Sequence, residues 1–487
     1  MIIFIIYGSI CKFLIALNFI LNSDTVNAGM VSLEIWRHHN YLLESYYFPS
    51  PDPFWFSDTL TFHLIPQIVS DFNPIAIRIM CYIIFILIVL IYSILINKIY
   101  INKTQALIFA AFMTNLPEPV QISFYLTPTC HNATIFFVGL CLFLFSDIDY
   151  KLNIELLIYI FLIDLIVFSD SIFIAWFIMP LIFWYIIFYK NKTFGTNASL
   201  AIMTFSALFT YLYKSFFIRD FIPIPVHIRD LGTILFVNLP IYVDGLATLI
   251  FGRIYEIKPL NYICLLILII MCIAIINNSY KNNKLFFFFA ASAFVIFIGY
   301  ISTDLCVNIY TARYLTMTAL SIYLLISILY RKDKKIYTIL IFIVLSIFAL
   351  SNYTVVSKLD YQPNKEELGL IDYLNNNQLK YGYADYWDSN ILTYLSNERV
   401  IVLPITINNQ RLEPFRWISC EKWFTRQNFV PSTDYFILFR SNLLLKKEDI
   451  NLFTKNISPK RILQFGSYTV YVFTGPAPII GSLPYKR

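Results

Sequence analysis

The sequence predicts an α-helical polytopic membrane protein that ends in a small extracytoplasmic α/β domain. Three observations carry that prediction: a composition too apolar for a soluble chain, a series of apolar runs of bilayer length, and an alternation of lysine-bearing and lysine-poor loops between them. Of 487 residues, 58% are hydrophobic and only 14% charged, outside the range of ordinary soluble domains. The net charge of +6 does not indicate nucleic acid. Lysines and arginines stand in short clusters between apolar stretches and form no basic stripe, so they read as topology signals.

Apolar runs able to cross a hydrocarbon core of ~30 Å occupy 2–21, 76–97, 104–116, 132–146, 154–168, 171–189, 198–217, 260–277, 285–301, 314–330 and 336–355. The loops with Lys98 and Lys103, Lys151, Lys190 and Lys192, Lys281 and Lys284, and Arg331, Lys332, Lys334 and Lys335 alternate with loops nearly free of lysine. By the positive-inside rule these five face the cytoplasm, and loop parity fits about eleven spans. The stretch 231–250 (LGTILFVNLPIYVDGLATLI) is also apolar. A crossing there would put Lys281 and Arg331 opposite Lys190, so it is read as a re-entrant or interfacial segment, helped by Pro240, Asp244 and Gly245. The first run is expected to be an uncleaved helix, since no basic segment precedes it and no clear small-residue cleavage site follows. Lys12 within it is expected to snorkel towards the cytoplasm.

This divides the chain into a transmembrane domain, 1–355, which includes an outer loop at 22–75, and a soluble outer domain, 356–487. In the latter, YGYADYW (381–387), RVIVLPI (399–405), DYFILFR (434–440) and YTVYVFT (468–474) read as strands, and 364–377, 389–396 and 447–456 as helices. Cys130, Cys306 and Cys420 fall on the outer side, where a disulfide between two of them stays open. No CxxC or metal-ligand spacing occurs, and no cofactor or metal is assigned.

The outer loop is the most informative region. From Asn22 to Ile75 it is far longer than a connector needs, and it holds Asp24, Glu34, Glu44, Asp52, Asp58 and Asp71 against a single arginine, Arg37, together with His38, His39 and His63. Asp24 comes only three residues after the first apolar run, which places it at the membrane surface. Val26 to Arg37 can form an amphipathic helix in the interface, and PSPDPFWFSDTLTFHLIP (49–66) mixes proline turns with aromatic anchors. Together they can roof a cavity. A carboxylate at that boundary is partly desolvated, hence more basic, and suited to accept a proton from a hydroxyl.

An acidic residue after the first helix, an interfacial helix, and a Pro- and aromatic-rich stretch before the second helix resemble the arrangement of GT-C glycosyltransferases. The likeness is to the protein O-mannosyltransferase and lipid A aminoarabinose transferase group. It rests on NSDTVNAGMVSLEIWRHHNY from Asn22, FWFSDTLTFHLIPQ from Phe54, the segment 231–250, IYTARYL at 309–315, and the outer C-terminal domain. The resemblance implies an integral protein of a bacterial or archaeal plasma membrane that transfers a sugar from a polyprenyl-phosphate donor to an acceptor hydroxyl of a protein, lipid or glycan on the outer face, usually with inversion. It implies Asp24 as general base, Asp58 as a second carboxylate binding acceptor or donor sugar, and Arg313 facing the donor phosphate, where a guanidinium offsets leaving-group charge. A polyprenyl monophosphate makes a metal less necessary than a nucleotide-sugar donor would. Glu34, Glu118, His131 and Asp170 are further candidates for lining the acceptor or donor cavity. Two departures stand out: Thr25 follows Asp24 where the family commonly has a second acid, and Thr129, Cys130, His131 and Asn132 stand where many relatives have an Asp at the start of the fourth helix.

Plainer roles exist for each residue. Asp24 can be a solvated helix-end carboxylate, Asp58 an N-cap for 59–69, Arg313 an anchor to lipid phosphates, His131 a cap, Glu118 a turn residue and Asp170 a helix terminator. WISCEKWFTR (417–426) and YADYWDSN (383–390) can stack sugars or form core. Asp164 lies inside an apolar helix, where a carboxylate is costly and needs a partner. Three other readings compete: a transporter or lipid flippase, for which polar residues such as Asp164 would line a pathway although no internal repeat is visible, an oligosaccharide polymerase or ligase, whose large loop usually comes late and arginine-rich rather than first and acidic, and a non-catalytic envelope assembly protein.

Overall fold

A computed structural model describes residues 1–48, 52–117, 125–127, 131–145, 154–188, 194–217, 226–252, 262, 266, 284–330, 335–408, 411–425, 434–440, 450 and 457–474. Glu118, Cys130, the predicted span 260–277, nearly all of the predicted helix 447–456, and the loop residues Lys151, Lys190, Lys192, Lys281, Arg331, Lys332 and Lys334 lie outside the described residues. Each of the other predicted spans is helical.

The chain forms two compact units. The first gathers Met1–Leu17, Cys81–Lys214 and Pro225–Leu359. Its helices Pro74–Tyr100, Leu231–Phe251, Thr311–Ile328 and Lys335–Val356 are each long and apolar enough to cross a membrane, and Ile2–Leu17, Asn132–Phe145, Ile154–Ser169 and Lys284–Ile301 are shorter apolar helices. Large apolar side chains point outwards from these helices and from Phe194–Phe217: Ile3 is 82% exposed, Phe205 71% and Phe236 82%. Such an apolar surface is normal where lipid replaces water. The segment 231–250 lies in one continuous helix of 21 residues, Leu231–Phe251, with a π-helical stretch at Ile234–Asn238. Its length would allow a crossing, and Pro240, Asp244 and Gly245 do not break it, so the re-entrant reading is left to loop charge.

Close contacts within this unit come from small and polar residues. A Cβ on Gly8 would lie 2.6 Å from the Thr114 carbonyl oxygen, so the first helix and Lys103–Thr114 approach at backbone distance. Asn115 ties them by donating to the Phe4 carbonyl at 2.8 Å. Lys12 departs from the snorkelling expectation: it is fully buried and donates to the Leu116 carbonyl at 2.7 Å. The Leu116 carbonyl, just past the C-cap Asn115 of Lys103–Thr114, gives the ammonium an internal partner, which removes its need to reach the headgroups. Asp164 also finds its partner here, since Ser206 Oγ donates to it at 2.6 Å. Cys306 is a free thiol, hydrogen-bonded to the Asn238 carbonyl at 3.2 Å.

The second unit joins residues 18–80 to the C-terminal region from Asp360. The sequence groups the outer loop with the transmembrane helices; its contacts instead group it with the C-terminal domain. The strands are β1 (Tyr46–Tyr47), β2 (Tyr381–Ala384), β3 (Ile401–Asn408), β4 (Arg411–Pro414), β5 (Ser419–Cys420), β6 (Tyr435–Arg440), β7 (Arg461–Phe465) and β8 (Tyr468–Phe473). β2, β3, β4, β6, β7 and β8 make one mixed sheet in the order β4-β3-β2-β6-β8-β7, with β2 parallel to β3 and β6 and the other pairs antiparallel. The helix Tyr386–Leu395 is the crossover between β2 and β3, so YGYADYW is a strand only to Ala384. β1 from the outer loop pairs with β5, and Cys420 is a buried thiol that meets the Glu44 carbonyl at 3.7 Å and joins no disulfide among the described residues.

The helix Asn27–Trp36 is buried from Asn27 through Ile35 on every face rather than along one stripe. It packs on the π-helix Trp55–His63, on Leu64–Val69 and on the crossover helix. A Cβ on Gly29 would sit 2.4 Å from the Tyr394 ring. That ring is fully buried and its hydroxyl donates to Gln67 at 2.6 Å, so it has little room to yield. Gly29→Ala is therefore expected to destabilise the protein by ~1–3 kcal/mol, measured as a lower thermal midpoint in detergent. An unchanged midpoint would contradict the packing.

Candidate functional site

In the second unit, the chain leaving the first helix is held at each step. Arg78 donates to the Phe19 carbonyl and to Asn364 Oδ1, both at 2.9 Å. Asn364 also accepts from the Leu21 amide at 3.0 Å and donates to the Leu21 carbonyl at 2.8 Å. Asn22 and Thr25 close a small turn on themselves, with Thr25 N donating to Asn22 Oδ1 at 2.9 Å and Asn22 N to Thr25 Oγ1 at 2.7 Å. Asn and Thr side chains favour such local bonds.

Ser23 Oγ donates to the Trp387 carbonyl at 3.0 Å, and half-buried Asp24 accepts a hydrogen bond from the Tyr386 hydroxyl. Burial pushes the Tyr386 phenol well above its usual range, and the Asp24 carboxylate adds to this. Tyr386 therefore stays a proton donor at ordinary pH.

Asp58 is not an N-cap. It lies inside the π-helix, 1% exposed, with Ser57 Oγ donating to it at 3.1 Å. π-helical turns are rare and often mark functional sites. His63 closes the same element, fully buried, and neither ring nitrogen has a hydrogen-bond partner. Burial lowers its pKa to about 4, so it is neutral.

Glu34 is fully buried and accepts from Trp423 Nε1 at 2.8 Å and Asn40 Nδ2 at 2.9 Å. With His38, Glu398 and Trp423 it lines a cavity of ≈ 20 Å³, room for about one water. Beside it, Glu398 pairs with His38 at 2.7 Å and Arg37 at 3.2 Å. Burial alone would raise the Glu398 carboxyl, but these two partners more than offset it and hold it below the usual range. Arg37 also reaches Asp71 at 2.8 Å.

The first unit contains a separate cluster. His131, at the mouth of Asn132–Phe145 with φ of 63°, sits in the left-handed region that few non-glycine residues adopt. Its Nδ1 meets Asp170 Oδ2 at 2.8 Å, and Thr134 Oγ1 donates to the same oxygen. Asp170 is fully buried and its other oxygen accepts from the Ile172 amide at 3.3 Å. The imidazole ring packs against Trp176 at 5.8 Å and Tyr314 at 5.5 Å. Arg313, in the 3₁₀ segment Ile309–Leu315, lies over the Tyr314 ring at 5.3 Å. Three sequence candidates, His131, Asp170 and Arg313, are thus joined through Tyr314. Among the described residues no cluster of three or more His, Cys, Asp or Glu could hold a metal ion.

Neither protein-family models nor curated proteins match the chain. Among solved structures, that of ArnT from Cupriavidus metallidurans, bound to undecaprenyl phosphate, superposes with a TM-score of 0.59 over 98% of this chain and 99% of that one, at 8% identity. The chain has the ArnT fold. The helical, polytopic membrane architecture with a small sheet domain, expected from composition and from the GT-C resemblance, is the architecture found. Within this ArnT-like fold, sequence reasoning missed Tyr386, Trp176, Tyr314 and Thr134. Tyr314 had a signal, as the neighbour of Arg313 in IYTARYL, and Tyr386 stood in the aromatic run weighed as sugar platform or core.

Proposed function

We propose that this protein is a membrane glycosyltransferase that moves a sugar from a polyprenyl-phosphate donor to an acceptor hydroxyl on the outer face, with inversion. The observation that carries this reading is the full-length fold match to a structure bound to undecaprenyl phosphate. In the proposed reaction Asp24 removes the acceptor proton as the oxygen attacks the anomeric carbon, the bond from that carbon to the phosphate oxygen breaks, and polyprenyl phosphate leaves. Asp58 binds sugar hydroxyls, and Arg313 offsets the phosphate charge. His131, held by Asp170 and Thr134, contributes a second polar group beside Arg313. Glu34, bonded to Trp423 and Asn40, supports the loop from beneath. The C-terminal domain is placed on the outer side by loop charge.

The transport reading drew on Asp164, one oxygen of which is bonded by Ser206 within the helical unit. The decisive assay supplies the purified full-length protein in lipid nanodiscs with undecaprenyl-phosphate-linked hexoses and pentoses and follows release of undecaprenyl phosphate. Donor consumption by one member of the series is expected. No consumption across the series, with movement of the labelled lipid across proteoliposomes, would favour a flippase instead.

A further inference from the structure

We infer that Tyr386, from the C-terminal domain, is the positioning residue for Asp24, so that the candidate base is completed by a side chain far along the sequence. The inference rests on the reading of Asp24 as general base. The bond from the Tyr386 hydroxyl runs to Asp24 Oδ1, across 362 residues of sequence.

Three features make this more than a chance contact. First, Tyr386 is 2% exposed, with its ring packed edge-on to Trp387 at 5.2 Å and tilted against Phe415 at 5.8 Å, so its hydroxyl is aimed by packing. Second, Tyr386 opens the crossover helix, whose N-cap Asp385 accepts from the Trp387 amide at 2.9 Å. A capped helix start is a rigid mount. Third, the contact is doubled in register: Ser23 bonds Trp387 while Asp24 bonds Tyr386, and the Ile391 amide donates to Ser23 Oγ at 3.4 Å. Adjacent residues of the loop therefore dock on adjacent residues of the helix.

A phenol donating to a carboxylate orients it and favours its ionised form. Both help a general base: the proton-accepting state is present at lower pH, and the carboxylate is held in one rotamer. Among the described residues the ionisable groups facing Tyr386 are Asp24 and Tyr46, and the Trp417 side chain also hydrogen-bonds to it. Tyr46 is a fully buried phenol that burial keeps neutral, so the carboxylate is the partner whose charge responds.

The test compares the pH dependence of kcat/KM for donor consumption in full-length wild type, Tyr386→Phe, and protein with trifluorotyrosine at 386. The Phe variant is expected to move the acidic limb upward by about one pH unit. Trifluorotyrosine, a stronger donor that keeps the shape, is expected to move it downward. A uniform loss of rate with the limb unmoved in both proteins would mean that Tyr386 only supports the structure, and it would overturn the inference while leaving the base intact. Asp24→Asn, assayed alongside, separates the two readings: full activity there would remove the base and this inference with it.

Discussion

Asp24→Asn is expected to lower transfer from a polyprenyl-phosphate sugar by about 10²–10⁴-fold in kcat, the range for loss of a general base, with little change in thermal stability. The stability half follows from the geometry. Asparagine keeps an oxygen that can accept from Tyr386, and the turn around it is closed by Asn22, Ser23 and Thr25 rather than by Asp24. Alanine would behave differently, leaving a buried phenol without its acceptor at a cost of about 1–3 kcal/mol. The pair of variants therefore separates chemistry from folding: Asn is inactive and stable, whereas Ala is inactive and less stable. An Asn variant with full activity would refute the assignment of the base.

The second large effect is expected at Arg313. Arg313→Ala should cost about 10²–10³-fold in kcat/KM, by analogy with removing a preorganised donor to developing charge. Arg313→Lys should recover only part of this, because an ammonium keeps the charge but loses the planar fork that matches a phosphate. The Tyr314 ring supports this distinction, since the guanidinium lies over it at 5.3 Å and that ring in turn packs on His131. Steady-state kinetics with varied donor concentration checks the prediction. If Arg313 only anchors the protein to headgroups, the lysine variant will match wild type.

Much of the architecture was legible because membrane spans are local. A run of apolar residues of the right length identifies itself, as 76–97 and 336–355 did. β3, β6 and β8 were also readable, since their inward side chains are apolar. β7, with exposed or half-exposed residues from Arg461 to Phe465, gave no such signal, nor did the short hairpin strand β4. The π-helix at Trp55–His63 escaped because its repeat matches neither the helical nor the strand period.

The candidate site was legible only in part, for a related reason. Asp24, His131, Asp170 and Arg313 could be singled out by residue type and position, but their partners could not. Tyr386 reaches Asp24 across 362 residues, Asp170 reaches His131 across 39 and Ser206 reaches Asp164 across 42. No pattern within a window encodes such pairs. Lys12 shows the same limit from the other side, because a carbonyl at Leu116 answers its charge.

The bonds between Leu21 and Asn364 have a consequence for biogenesis. They join residues 343 apart, so the segment after the first helix is synthesised long before its partner exists. Asn22 and Thr25 can close their turn locally, but the bonds that Asn364, Tyr386 and Trp387 make to it come only once those residues have been made. On the proposed function, a chain that ends before the last domain lacks the partners that position its candidate base. Completion of translation is then the event that arms the protein.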